Sequence, residues 1–173
     1  MTKDEKLSDY YFYICTHVSN VRDAYAKYKD ILFNILNITI SEEEMNNIIK
    51  KHDATKWSGE EFEYYQKYFM PVDDMDKATK LEFDKAWLHH INCNYHHPEH
   101  WVIYDHEFRS VRFIPMPDHY IAEMICDWIA MGMTHDSKAY EWYDKNKINI
   151  PLHEETRKKV EKTLMAIKDF DGH

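Results

Sequence analysis

The stretch Ser8–Leu36, SDYYFYICTHVSNVRDAYAKYKDILFNIL, places apolar residues at steps of three and four: Tyr11, Ile14, Val18, Val21, Tyr25, Tyr28, Leu32 and Ile35. That step is the period of a helix with one buried face, so the stretch reads as a long core-facing helix. His17 stands one place from Val18 and three from Ile14, and so borders the buried face. A single histidine in that position more often bonds a backbone carbonyl at the edge of a core than binds a ligand.

The same period continues downstream. Ser41-Glu42-Glu43-Glu44 has capping-box spacing, and Met45, Ile48 and Ile49 supply the apolar face of a short helix. A second box, Ser58 to Glu61, restarts a helix through Phe62, Tyr65 and Phe69 that Pro71 ends. Asp73 and Asp74 open a further helical stretch that runs to about Tyr95, with Leu81, Ala86, Trp87, Leu88 and Ile91 inward. Around 101–115 the pattern shifts to Val102-Ile103-Tyr104 and Val111-Arg112-Phe113-Ile114, a short β-hairpin or an ordered loop. Pro117 suits the first turn of a helix carrying Ile121, Met124, Ile125, Trp128 and Ile129, with Gly132 as its stop. Thr134 to Lys138 reads as the capped start of another, and Leu152 to Phe170 as the last, its basic face at Arg157, Lys158, Lys159 and Lys162 solvated. The expectation is an all-α bundle, residues 1–173 forming one domain.

Composition narrows the class. The chain has 173 residues, 44% hydrophobic, enough to bury a core. Twenty-two Lys and Arg against 31 Asp and Glu give a formal charge of -9, which argues against a double-stranded nucleic-acid surface. No apolar run approaches the roughly 18 to 20 residues of a membrane span. The charged start and the three widely spaced cysteines, Cys15, Cys93 and Cys126, predict a cytoplasmic protein with reduced thiols. With three glycines in all, a phosphate-cradling glycine loop is disfavoured, so the chemistry must rest on side chains. A homo-oligomer is allowed.

Twelve histidines is a high count, and seven of them lie between His89 and His119. Lys51-His52-Asp53-Ala54-Thr55-Lys56 sits at a helix junction and sets an imidazole beside a carboxylate, which can hold one metal and bridge to a second. Read alone, the doublet is a helix-terminal histidine beside a turn-forming aspartate. Downstream, His89-His90 and His96-His97 are seven apart member to member, so either pair can share a helix face. The pair carried forward is His90 and His97. Asp127, four residues past Glu123 and next to Trp128, is a carboxylate in an apolar helix, and burying it requires a partner. His135-Asp136-Ser137-Lys138 echoes the doublet but starts no similar series. Arg109 and Arg112 have the donors for bidentate phosphate contact.

The order His17, His52-Asp53, His90, His97, Asp127 resembles the HD superfamily of metal-dependent phosphohydrolases, an all-helical fold named for the doublet. The blocks His-Asp-x-x-Lys followed by Ser-x-Glu-Glu-Phe, the paired histidines before Trp101, and Asp127-Trp128 look closest to a short bacterial and phage branch. The resemblance implies an HD-type bundle in which His17, His52, Asp53 and Asp127 ligate one metal, and Asp53 bridges to a second held by His90 and His97. It implies one or two divalent ions (Mn, Fe, Co or Mg), and hydrolysis of a nucleotide or similar small phosphate ester by a metal-activated water. Asp53 and Lys56 would take part in the chemistry, and Arg109 and Arg112 are read as substrate contacts. Lys56 stands where nucleoside-monophosphate-hydrolysing members carry Glu. The Gly-Tyr-Pro segment of cyclic-dinucleotide hydrolases is absent after His97-Pro98. A related branch uses the same ligand order in a di-iron oxygenase, the first alternative. The second is a non-catalytic binding protein.

Overall fold

The structure is a computed structural model that describes residues 2–75 and 77–172. Among them the chain forms helices α1 (Lys3–Ile35), α2 (Glu42–Lys50), α3 (Phe62–Phe69), α4 (Lys80–Cys93), α5 (Asp118–His135), α6 (Ala139–Asn146) and α7 (Glu154–Asp171). Strands β1 (Val102–Asp105) and β2 (Ser110–Phe113) pair antiparallel between α4 and α5, with Val102 opposite Phe113 and Asp105 opposite Ser110. The fold is mainly α, as the helical period predicts, and the 101–115 segment is the hairpin. No described helix is long and apolar enough to cross a membrane.

The first helix begins at Lys3 rather than Ser8, because Thr2 and Glu5 close a capping box ahead of it. Its buried line is Tyr10, Ile14, His17, Val21, Ala24, Tyr28 and Leu32, steps of four and three along the seam where α5 lies against it. Tyr11, expected inside, is 57% exposed. His17 therefore stands within the buried line and not at its border. This seam separates two apolar clusters: a large one from Val21 onward with α5 and α7, and a small one of Tyr10, Ile14, Tyr65 and Ala86. His17 falls between Ile14 of the second and Val21 of the first.

Three expected boundaries move. Ser41 and Glu44 form the expected box at α2, but Ser58 and Glu61 do not form theirs: Ser58 Oγ is buried without a partner, and Glu61 turns inside. The helix expected from Asp73 begins at Lys80, where Thr79 and Glu82 supply a box. Gly132 does not stop α5, which runs to His135 and ends at Asp136 in the left-handed conformation (φ 47°). Gly132 instead lies under the Ser137 carbonyl, and a Cβ there would overlap that oxygen. The next helix accordingly starts at Ala139, past the expected Thr134–Lys138.

Candidate metal centre

The end of α2 delivers the doublet. After Lys50 the chain leaves the helix through Lys51, and Asp53 takes φ 56°, a left-handed conformation that aspartate tolerates better than most side chains. The turn buries His52 and Asp53 at 2% exposure each, against α1 on one side and α4 and α5 on the other. His17 comes from α1, His90 from α4, His96 and His97 from the turn after α4, and Asp127 from α5.

The two oxygens of Asp53 face different donors. On the Oδ2 side, His17 Nε2 is 3.5 Å and His52 Nε2 3.5 Å away. The two imidazole nitrogens are 3.3 Å apart, and Asp127 Oδ1 is 3.1 Å from His17 Nε2 and 3.7 Å from His52 Nε2. A metal with bonds of about 2.1 Å spaces neighbouring ligand atoms by roughly 3.0 Å in an octahedron and 3.4 Å in a tetrahedron. The observed separations, 3.1 to 3.7 Å, overlap that range and extend a little beyond it. On the Oδ1 side, His90 Nε2 is 3.2 Å and His96 Nε2 3.7 Å from the carboxylate, and His97 Nε2 is 2.9 Å from His90 Nε2.

Asp53 Oδ1 and both ring nitrogens of His96 are buried without a well-directed hydrogen bond, with His90 Nε2 3.2 Å from the Asp53 oxygen. Buried polar atoms are rarely left so. Glu123 Oε1 lies 3.2 Å from His96 Nδ1 without hydrogen-bond alignment, and His96 Nε2 lies 3.7 Å from Asp53 Oδ1. Unpaired buried donor atoms grouped at ligand spacing suit a cation shared among them. Three donor groups satisfy ligand spacing on these elements: Asp53 with His90, His96 and His97; His17 with His52 and Asp127; and His52 with His96 and Glu123. The donors present fit one ion or two.

Two carboxylates stand behind the imidazoles. His52 Nδ1 donates to Glu123 Oε1 at 2.9 Å, and His90 Nδ1 donates to Glu61 Oε2 at 2.7 Å. A carboxylate can only accept, so each fixes Nδ1 as a donor and turns Nε2 inward, the arrangement that orients metal-ligating histidines. Glu61 is fully buried and also accepts from His89 Nδ1 at 2.7 Å, so His89 braces the cluster from outside. Burial pushes Glu61 and Glu123 up, but the facing histidines outweigh it and hold both below the usual carboxylate range.

The charges inside the cluster follow the same logic. Burial raises Asp53 and Asp127, yet His52 and Lys56 beside Asp53, and His17 and His52 beside Asp127, hold both well below the ordinary value. Burial lowers His52, and Asp53, Asp127 and Glu123 more than reverse that. His97 goes the other way: burial first, then His96 and His90, keep it neutral, the form a ligand needs. Lys56 Nζ lies 2.6 Å from Asp53 Oδ2. Both belong to the wall of a cavity of about 490 Å³, to which His17, His97 and Asp127 also contribute.

Of the residues the sequence singles out, the structure brings His17, His52, Asp53, Lys56, His90, His97 and Asp127 together. Arg109 and Arg112 it does not. Both sit on the exposed hairpin, Arg109 at its turn with φ 50° and Arg112 donating to Asp105 at 2.8 Å, and neither lines the cavity. A two-stranded ribbon with both faces exposed carries its long cations outward. His96, Glu61 and Glu123 join the cluster without having been chosen as ligands or supports. Glu123 had a signal, one helical turn before Asp127 and on its face. Glu61 had a misleading one, since its spacing from Ser58 imitates a cap.

Residues 6–166 match the model of a family described as a family of unknown function, DUF5662. No curated protein and no solved structure matches the chain.

Proposed function

The chain belongs to the DUF5662 family, and we propose that it is an HD-type metal-dependent phosphohydrolase acting on a small phosphate ester. The observation that carries this reading is Asp53, whose two oxygens face two separate sets of imidazoles, the disposition of a carboxylate that bridges two ions. Mainly imidazole donors with carboxylates suit iron, cobalt or manganese better than magnesium. When bound, a divalent metal supplies Lewis acidity and lowers the pKa of water from about 15.7 towards about 7.

The chain's own residues would do the rest. Glu61 and Glu123 hold the imidazoles in one tautomer, so no reorganisation is needed as charge develops. Lys56, on the cavity wall against Asp53, places a cation where phosphoryl and departing oxygens gain negative charge. In hydrolysis a water oxygen bonds to phosphorus as the ester P–O bond breaks. Lys56 gives its proton to the departing oxygen and is reprotonated by the one that the water releases.

One observation favours a second reading. The cavity wall is largely apolar and contains no arginine among the described residues, which suits a di-iron oxygenase acting on a weakly charged substrate. The two separate by assay: phosphate release under nitrogen for the hydrolase, oxygen uptake with stoichiometric iron for the oxygenase.

Elemental analysis of protein purified without a histidine tag is expected to find one or two transition-metal ions per chain, and phosphate-ester hydrolysis to depend on them. Asp53→Asn, which keeps a side chain tolerant of the left-handed backbone, is expected to lose both metal and turnover. Full metal loading in Asp53→Asn refutes the ligand assignment.

A further inference from the structure

Two phenols on the cavity wall are unexplained by the chemistry above. Tyr10 from α1 and Tyr65 from α3 are 2% and 6% exposed, and their hydroxyl oxygens are buried without a hydrogen-bond partner. Both line the cavity that contains Asp53 and Lys56. The rings are wedged, Tyr10 edge-on to Phe62 at 5.2 Å between centroids and Tyr65 edge-on to Phe83 at 5.1 Å, which restrains either from swinging out to water. Native structures leave few buried polar atoms unpaired, and those beside a functional cavity point to something that pairs with them. Burial first, then Tyr13, Asp53 and Glu61 for Tyr10, and Glu61 and Asp53 for Tyr65, raise both phenols, so each remains an O–H donor.

Charge supplies the second constraint. Among the described residues lining the cavity, the lysine and arginine class is represented by Lys56, already bonded to Asp53 at 2.6 Å. Tyr13, Phe69, Met70 and Met131 fill much of the remaining wall. Beyond the histidines of the cluster and the exposed His135, such a wall offers no counter-charge for a second or third phosphate, and burying an unpaired phosphate there is unfavourable.

We infer that the cavity takes a compound with one phosphoryl group, held at the histidine cluster beside Lys56, and an uncharged hydroxyl-bearing body whose hydroxyls pair with Tyr10 and Tyr65. The inference rests on the phosphohydrolase reading and adds to it the two tyrosines and the exclusion of polyphosphates, nucleoside triphosphates included. A volume of about 490 Å³ is of the order that encloses a small ligand.

The test uses the manganese-loaded full chain and hydrolysis-resistant phosphonate analogues of three probes: glucose 6-phosphate, cyclohexylmethyl phosphate, which keeps the ring without its hydroxyls, and glucose 1,6-bisphosphate. Calorimetry is expected to show the hydroxylated monophosphonate binding about tenfold tighter than the bare ring, and the bisphosphonate weaker than the hydroxylated monophosphonate. Tyr10→Phe and Tyr65→Phe, which keep the packing, are each expected to reduce the tenfold preference about threefold with unchanged metal content. Should one variant fail to fold, the other reads the same preference. A metal-loaded protein with no preference for the hydroxylated probe, with a preference insensitive to both substitutions, or with equal or tighter bisphosphonate binding overturns this inference alone. A wild-type chain that takes up no metal overturns the phosphohydrolase reading and this inference with it.

Discussion

Glu123 touches two imidazoles from different parts of the chain, His52 after α2 and His96 after α4, through one carboxylate oxygen. Glu61 touches His90 and, from outside, His89. If these carboxylates orient ligands, their amide variants should separate the two halves of the cluster. Glu123→Gln is expected to weaken metal binding on both sides of Asp53 by about 10- to 100-fold, and Glu61→Gln to weaken only the half held by His90. A metal titration that resolves two binding steps reads the difference, and equal effects of both variants on both steps would remove the orienting role. At this scale the sequence marks residue types better than partners. His96 and His97 are adjacent, and both reach the cluster because α4 ends at Cys93 and the turn before Pro98 frees them from helix geometry, which would have set them about 100° apart.

Among the elements, α5 shows how local preference yields to contact. A glycine near a helix end reads as a stop, yet Gly132 is helical because the chain after Asp136 folds back until the Ser137 carbonyl rests on it. Alanine raises helix propensity over glycine by about 1 kcal/mol. Overpacking against fixed backbone typically costs about 1–3 kcal/mol. Gly132→Ala is therefore expected to destabilise the chain by about 1 kcal/mol net, measured by urea unfolding, and a stabilised variant would show that the turn to α6 yields easily. The same rule explains the two serine boxes. Ser41 and Glu44 stand at the surface, where nothing competes for the carboxylate, and the box closes as the spacing predicts. Ser58 and Glu61 have the same spacing, but two imidazoles of α4 capture Glu61 at 2.7 Å each and the cap is lost.

Across the whole molecule the last helix is tied to the first: Asp171 at the end of α7 accepts from Lys27 at 2.8 Å and from Tyr28 at 2.7 Å, both on α1. Burial raises Asp171, but Lys27 and Tyr28 outweigh it and hold its folded pKa below the ordinary 3.8. With the folded value below the unfolded one, this stabilisation is fully present above about pH 4 and is lost as pH falls through the folded value. Asp171→Asn is thus expected to be less stable than wild type by about 1 kcal/mol at neutral pH, with Lys27 half in water limiting the size. The two should converge in acid. A gap that persists unchanged at pH 2, measured by thermal unfolding, would assign the effect to packing. What the sequence by itself determined is the helical class, the Ser41 cap, and the residue types of the centre: the helical period is local, and a His-Asp doublet followed by paired histidines can be read in order. Only the tertiary structure decided that His17 lies inside the seam, that Glu61 and Glu123 back the imidazoles, and that Arg109 and Arg112 stay outside. The reason is physical: a buried polar group needs a partner, and which partner arrives is set by how α1, α4 and α5 pack, at separations in sequence that no local pattern records.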